Sequence, residues 1–299
     1  MPALHKQHGS APHRLESRPR QLLPNKALYE GQWIVGTNLR CGKGVLTWAD
    51  GSVYEGWWLN DRACGKGRII HADGDVQEGE WEDDKANGYG IYYHADGAVY
   101  QGGWLDDNQH GEGTEEWPDG QRFVGRYVYG KKQGSGRYVW PNGCEYEGQW
   151  HDNKIEGFGV YLWADGRRYE GEFRDSKMYG EGTYSWPDGR TYTGSYVNDK
   201  KEGYGTYYWA DGRKFEGYWR DGKQHGEGKI SNKNSESRCG VWHKGQRVKW
   251  IGEAEASRLT AASAGGDAKS NSVYDKFRIK VSEIEVGNGT GEASGPRTA

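Results

Sequence analysis

Glycine returns every 23 residues through most of this chain. The glycine that closes a recurring Tyr-Glu-Gly or its variants stands at Gly56, Gly79, Gly102, Gly125, Gly148, Gly171, Gly194, Gly217 and Gly240. An earlier copy, at Gly31, lies 25 residues before the first of these, the two extra residues falling between Trp33 and Gly42. A Gly-x-Gly pair follows in each copy, from Gly42/Gly44 to Gly226/Gly228, and Asp-Gly or Asn-Gly closes eight of them, ending at Asp211-Gly212. A strict period of this length describes stacked units, each burying its apolar face only against its neighbours.

Within a copy the residues alternate as strands do. Tyr146, Gly148 and Trp150 point one way and Glu147 and Gln149 the other, and the second strand repeats this with Gly157, Gly159, Tyr161 and Trp163. Gly supplies 49 of 299 residues and Trp plus Tyr another 36, so rings laid over a bare backbone must do the burying that aliphatic side chains do elsewhere. The polar segment HDNKIE at 151–156 is expected to join the two strands, and Trp-Ala-Asp-Gly to make the opposite turn, with Gly at positive φ.

The expected fold is all-β: an elongated single-layer antiparallel meander of about nine 23-residue hairpins and a terminal strand, 19 strands in all, with a short C-terminal helix. One face is expected to be an aromatic pavement open to water, represented by Tyr146, Trp150, Tyr161, Trp163, Tyr184, Trp186, Tyr207 and Trp209. Residues 1–28 carry five basic side chains and one acidic, lack periodicity, and are expected to be a disordered basic segment. The array occupies 29–251. Residues 252–299 form a tail, with the helix around 254–264 and a disordered end.

The pattern degrades toward both ends. Gln77 replaces an opening Tyr, and His71 and His94 replace a Trp. The ninth copy reads SNKNSESR where its turn should stand, and the tenth, CGVWHKGQRV, reads as half a copy. Atypical terminal repeats are expected where an array must be capped.

At the YEGxW, GxG and DG positions, as in YEGQWHDNKIEGFG and FEGYWRDGKQHGEG, the chain resembles the MORN-repeat family (membrane occupation and recognition nexus). The resemblance covers about 29 to 250. It implies a β-hairpin solenoid without catalysis, found in scaffold proteins of cytoskeleton, cilia and membrane junctions and as an accessory region of lipid kinases. No kinase, methyltransferase or exchange-factor sequence accompanies the repeats.

Motifs that suggest chemistry are explained by the repeat. Gly-Lys-Gly at 42–44 and 65–67 lacks the rest of a phosphate loop. Cys41, Cys64, Asn87 and His110 form a column, whereas zinc needs ligands that converge. Asp50, Asp73, Asp96, Asp119, Asp165, Asp188 and Asp211 are the Asp of the Asp-Gly turns. No catalytic residue, metal or cofactor is expected, and the four cysteines read as free thiols of a reducing compartment. Residues 29–251 hold 29 basic and 35 acidic side chains, an unsuitable balance for nucleic acid.

No apolar run of membrane-spanning length occurs, and the N-terminus lacks the apolar stretch of a signal peptide. A cytoplasmic location is expected, at the cytoskeleton, a cilium or the cytoplasmic face of a membrane.

Two function classes remain. The first is a scaffold or adaptor that joins cytoskeletal, ciliary or membrane-associated protein partners through its aromatic face and its ends. The second is a phosphoinositide or anionic-lipid-binding module, one that regulates a lipid kinase for example. It rests on a basic row formed by Arg167, Arg168, Arg190, Arg213 and Lys214 after three successive turns. Exposed rings and unpaired edge strands also lead to an expected homodimer through the C-terminal copies, with Trp219 and Trp242 near the contact.

Overall fold

The computed structural model describes residues 13–252. One copy shows how the chain is built. Glu145–His151 and Lys154–Leu162 are antiparallel strands joined by Asp152 and Asn153 alone. Both turn residues are left-handed, with φ of 48° and 66°, the two-residue hairpin turn whose twist matches that of its strands. The connection expected at 151–156 therefore shrinks to two residues, and Lys154, Ile155 and Glu156 belong to the second strand.

Gly148 faces Gly159 while Trp150 faces Ile155, so the second strand carries two residues more than the first between these pairs. The surplus is absorbed at Gly157, whose φ of 68° suits a bulge on glycine. Matching register shifts recur at Gly171/Phe173, Gly194/Tyr196 and Gly217/Trp219. The other turn is the expected Asp-Gly one: Trp163 donates its N–H to the Arg167 carbonyl at 2.9 Å, and Asp165 Oδ1 accepts from the Arg167 N–H at 3.1 Å.

Copied along the chain, this unit gives 21 strands in one open sheet, from Leu15–Leu22 to Gln246–Ile251, each paired antiparallel with the strands before and after it. At about 4.8 Å per strand the sheet extends roughly 100 Å in the pairing direction. No helix occurs among the described residues.

Two strands exceed the expected 19. Leu15–Leu22 lies in the segment expected to be disordered, and it pairs with Leu28–Ile34. It supplies hydrogen bonds to an edge that the repeats would leave open. Pro19 falls where its register slips, a place that needs no ladder N–H. Arg18 reaches over Trp33, with its guanidinium 4.9 Å from the ring centroid. At the other end, the half copy is completed by Gln246–Ile251, joined through Lys244 and Gly245. The ninth copy also keeps its turn. Asn232 donates to the Glu236 carbonyl at 3.0 Å, and Ser235, at φ 65°, stands where the other copies have Gly. Residues 1–12 and the helix expected around 254–264 lie outside the described residues.

The rings pack on the sheet that carries them. A Cβ at Gly159 would come within 2.6 Å of Tyr146 Cε2, which is why this column is glycine. Tyr146 is fully buried and donates its hydroxyl to the Gln149 carbonyl at 3.0 Å. Trp150 and Phe173 meet it edge-on, with centroids 5.5 and 5.3 Å away. Such contacts link a row from Tyr100 to Trp242, and a shorter row runs from Tyr29 to Trp81. The pavement expected to be open to water is thus, in its central row, a buried core.

Gln77 separates the two clusters. It is buried where an opening ring would lie, and its Nε2 has no partner.

Candidate functional site

The eight residues of the expected aromatic face divide into two rows. Tyr146 and Trp150 belong to the buried central row. Tyr161, Trp163, Tyr184, Trp186, Tyr207 and Trp209 form a second row beside it, with successive centroids 4.5 to 5.7 Å apart. Tyr184 and Tyr207 are buried in this row, while Tyr161, Trp163, Trp186 and Trp209 are half-buried. Trp219 and Trp242, expected near a contact between copies, are 7% and 6% exposed within a single chain. The free ring surface on which that contact was argued is absent at both.

The five residues of the basic row are all engaged. Arg167 pairs with Asp165 at 2.7 Å, Arg190 with Asp188 at 2.7 Å and Arg213 with Asp211 at 2.8 Å. Arg168 pairs with Glu170 at 2.8 Å and Lys214 with Glu216 at 2.9 Å. The first three also lie over the Trp of their own turn, 5.2 to 5.3 Å from the ring centroids. Each acid is two residues from its base, so every copy carries its own neutralisation. At such exposed pairs the stabilisation is about 0–1 kcal/mol, but the field offered to an anion is small.

The four cysteines are free thiols, and among the described residues no group of His, Cys, Asp and Glu is arranged to hold a metal. No helix among the described residues is long and apolar enough to cross a membrane.

Sequence reasoning missed a different column. In each of the eight copies from the second to the ninth, one residue of the long strand faces the Trp, Tyr or Phe next to the end of the short one: Ala63, Ala86, Gln109, Lys132, Ile155, Met178, Lys201 and Gln224, with Arg40 and Arg247 at this position in the first and last copies. Two lysines stand in this largely uncharged column. Lys132 Nζ lies 5.0 to 6.0 Å from the centroids of Trp117, Phe123, Tyr127 and Tyr138. Lys201 Nζ lies 4.7 to 5.0 Å from those of Trp186, Tyr192, Tyr207 and Trp219. The available signal was a charge on an inward position, hidden because the polar segment was read as a loop.

Lys201 also borders an open groove of about 270 Å³, lined by Tyr207, Trp209, Trp219, Lys223, Gln224 and Gly245. Burial pushes the Lys201 ammonium down to about 8, and the Arg190 charge pushes the same way.

Nine consecutive segments match the model of the MORN repeat: 38–53, 54–76, 78–99, 100–122, 123–145, 146–167, 169–189, 192–212 and 215–235. They cover more than half of the chain, which therefore belongs to the MORN-repeat family. No curated protein matches the chain.

Among solved structures, the chain is similar to the TCP domain of Drosophila melanogaster SAS-4 in complex with a proline-rich motif of Ana2. That likeness has 15% identity and a TM-score of 0.34, over 66% of this chain and 99% of that one. The TCP10 domain of Danio rerio CPAP, in complex with a STIL peptide, gives 11% identity and a TM-score of 0.30 over 80% and 99%. Likenesses at these scores carry no argument about function.

Proposed function

We propose that this protein is a non-catalytic scaffold or adaptor that joins cytoskeletal, ciliary or membrane-associated protein partners. The observation that carries this reading is the uninterrupted sheet of 21 strands built from MORN repeats, with polar turns along both edges. Repeat arrays of this kind offer extended surfaces that suit macromolecules better than small ligands. The lipid-binding alternative depended on the basic row, and the pairing of all five residues within their own copies gives it no support.

The test is proximity labelling in cells with the tagged full chain, imaged in the same experiment. A second chain carries Gln at positions 167, 168, 190, 213 and 214. The expected result is the same protein neighbours and the same location for both. The reading is overturned if the variant leaves its site and the unaltered chain pellets with phosphoinositide vesicles.

A further inference from the structure

Lys132 and Lys201 are equivalent positions three copies apart, and they differ first in what faces the ammonium. At Lys132 a carboxylate completes the site: Glu115 Oε2 lies 3.0 Å from Lys132 Nζ and accepts the Tyr127 hydroxyl at 2.8 Å. Three copies on, the position of Glu115 is held by Tyr184, whose hydroxyl accepts from Arg167 at 3.2 Å. Among the described residues Lys201 has no ion pair, and the Tyr196 hydroxyl, equivalent to that of Tyr127, is buried without a partner. The chain has kept the cation and its rings but omitted the acid.

The groove opens at this copy for a reason visible in the turns. In most other copies, the one with Gly130 opposite Gln109 excepted, the second turn residue reaches back one copy to cap the column: Asp84 Oδ1 accepts from the Ala63 N–H at 2.7 Å, and Asn153 and Asp199 do the same for Lys132 and Met178 at 2.8 Å. Opposite Lys201 and Gln224 the turn residues are Gly222 and Gly245, which offer only a backbone N–H, at 2.9 and 2.8 Å. The missing side chain at Gly245 leaves the space that this residue lines.

The charge ladder beside it reverses at the same place. Lys85, Lys131, Lys154 and Lys200 each pair with the Asp that opens the next turn, at 2.6 to 3.2 Å. Lys223 continues that series, but the turn residue due to meet it is Lys244. Lys223 has no ion pair among the described residues.

From this juxtaposition we infer that the groove at Lys201 docks an acidic side chain of a protein partner, an Asp or Glu followed by apolar residues. The carboxylate pairs with Lys201 Nζ as Glu115 pairs with Lys132, Lys223 and Lys244 supply further positive charge, and Trp209 and Trp219 receive the apolar neighbours. The inference rests on the scaffold reading and names the chemistry of one contact.

The experiment selects a random peptide library displayed on phage against the full chain and against Lys201→Met. Met stands at the equivalent position 178, and a melting curve confirms that the variant folds. The expected result is enrichment of peptides bearing Asp or Glu beside apolar residues. A synthetic peptide from that set should lose about tenfold or more in affinity on Lys201→Met, or when its acid is changed to the amide. Lys132→Met should leave it bound. The inference is overturned if enriched peptides show no acidic preference, if Lys201→Met binds them equally, or if only anionic vesicles bind. Unchanged neighbours for Lys201→Met in the proximity experiment would remove this contact and leave the scaffold reading intact. Absence of protein neighbours for the unaltered chain would remove the scaffold reading itself.

Discussion

Tyr146 and Trp163 show how differently two rings of one copy contribute. Tyr146 and its partner Trp150 are buried within the sheet, whereas Trp163 is half-buried beside the turn it introduces. Trp150→Ala should therefore cost about 3–5 kcal/mol and Trp163→Ala roughly half as much. Asp165→Ala, which removes a turn hydrogen bond and an exposed ion pair, should cost about 1 kcal/mol. Urea unfolding of the three variants gives the order directly, and equal costs for Trp150 and Trp163 would contradict it. The glycine columns and their rings were legible in the sequence because both recur in every copy. Which ring is buried was not, since each lies on a face that alternation alone marks as apolar. The difference arises when Tyr146 lies over Gly148 and Gly159, a contact across two strands.

At the scale of the hairpin, the turn at Asp152-Asn153 was hidden by its composition. Six residues, all but Ile155 polar, read as a loop, yet four of them extend the strands, because a pair of left-handed residues closes the hairpin at once. Asn153 holds this conformation and also caps the Lys132 N–H one copy back at 2.8 Å. Asn153→Ala should lose about 1–2 kcal/mol through both effects. Asn153→Gly keeps the conformation, as Gly130, Gly222 and Gly245 do in other copies, and should lose less. Chemical denaturation measures both: equal losses for the two variants would mean that the cap, which both remove, accounts for the effect, and the reverse order would contradict the conformational part of the argument. The strand Leu15–Leu22 was missed for a related reason. It has neither glycine nor aromatic residues, and it is ordered by the edge it covers, a demand that comes from the strand beside it.

Along the whole described array, stability passes from copy to copy, so a defect in one copy divides the sheet into two supporting clusters. Gln77 is that defect: the facing glycines Gly79 and Gly90 are present, but no opening ring lies across the pair, only Trp104 approaches Gly90, and the buried amide nitrogen is unpaired. Gln77→Tyr should join the clusters and raise stability by about 1–3 kcal/mol, with the gain read as a sharper and later thermal transition. A lower melting temperature would mean that the space over Gly79 and Gly90 is closed to a ring.

The central aromatic row is consumed within one chain, and on our proposal departures from the repeat are what meet a partner. Hydroxyl-radical footprinting of the dilute full chain, read residue by residue by mass spectrometry, tests this most directly. Tyr146, Trp150, Tyr169, Trp219 and Trp242 should be protected, and Trp57, Tyr89 and Tyr204, which are 45 to 55% exposed, should be labelled. Labelling of the central row in dilute solution that disappears as the chain is concentrated would show that a second copy completes the core, and would contradict the account.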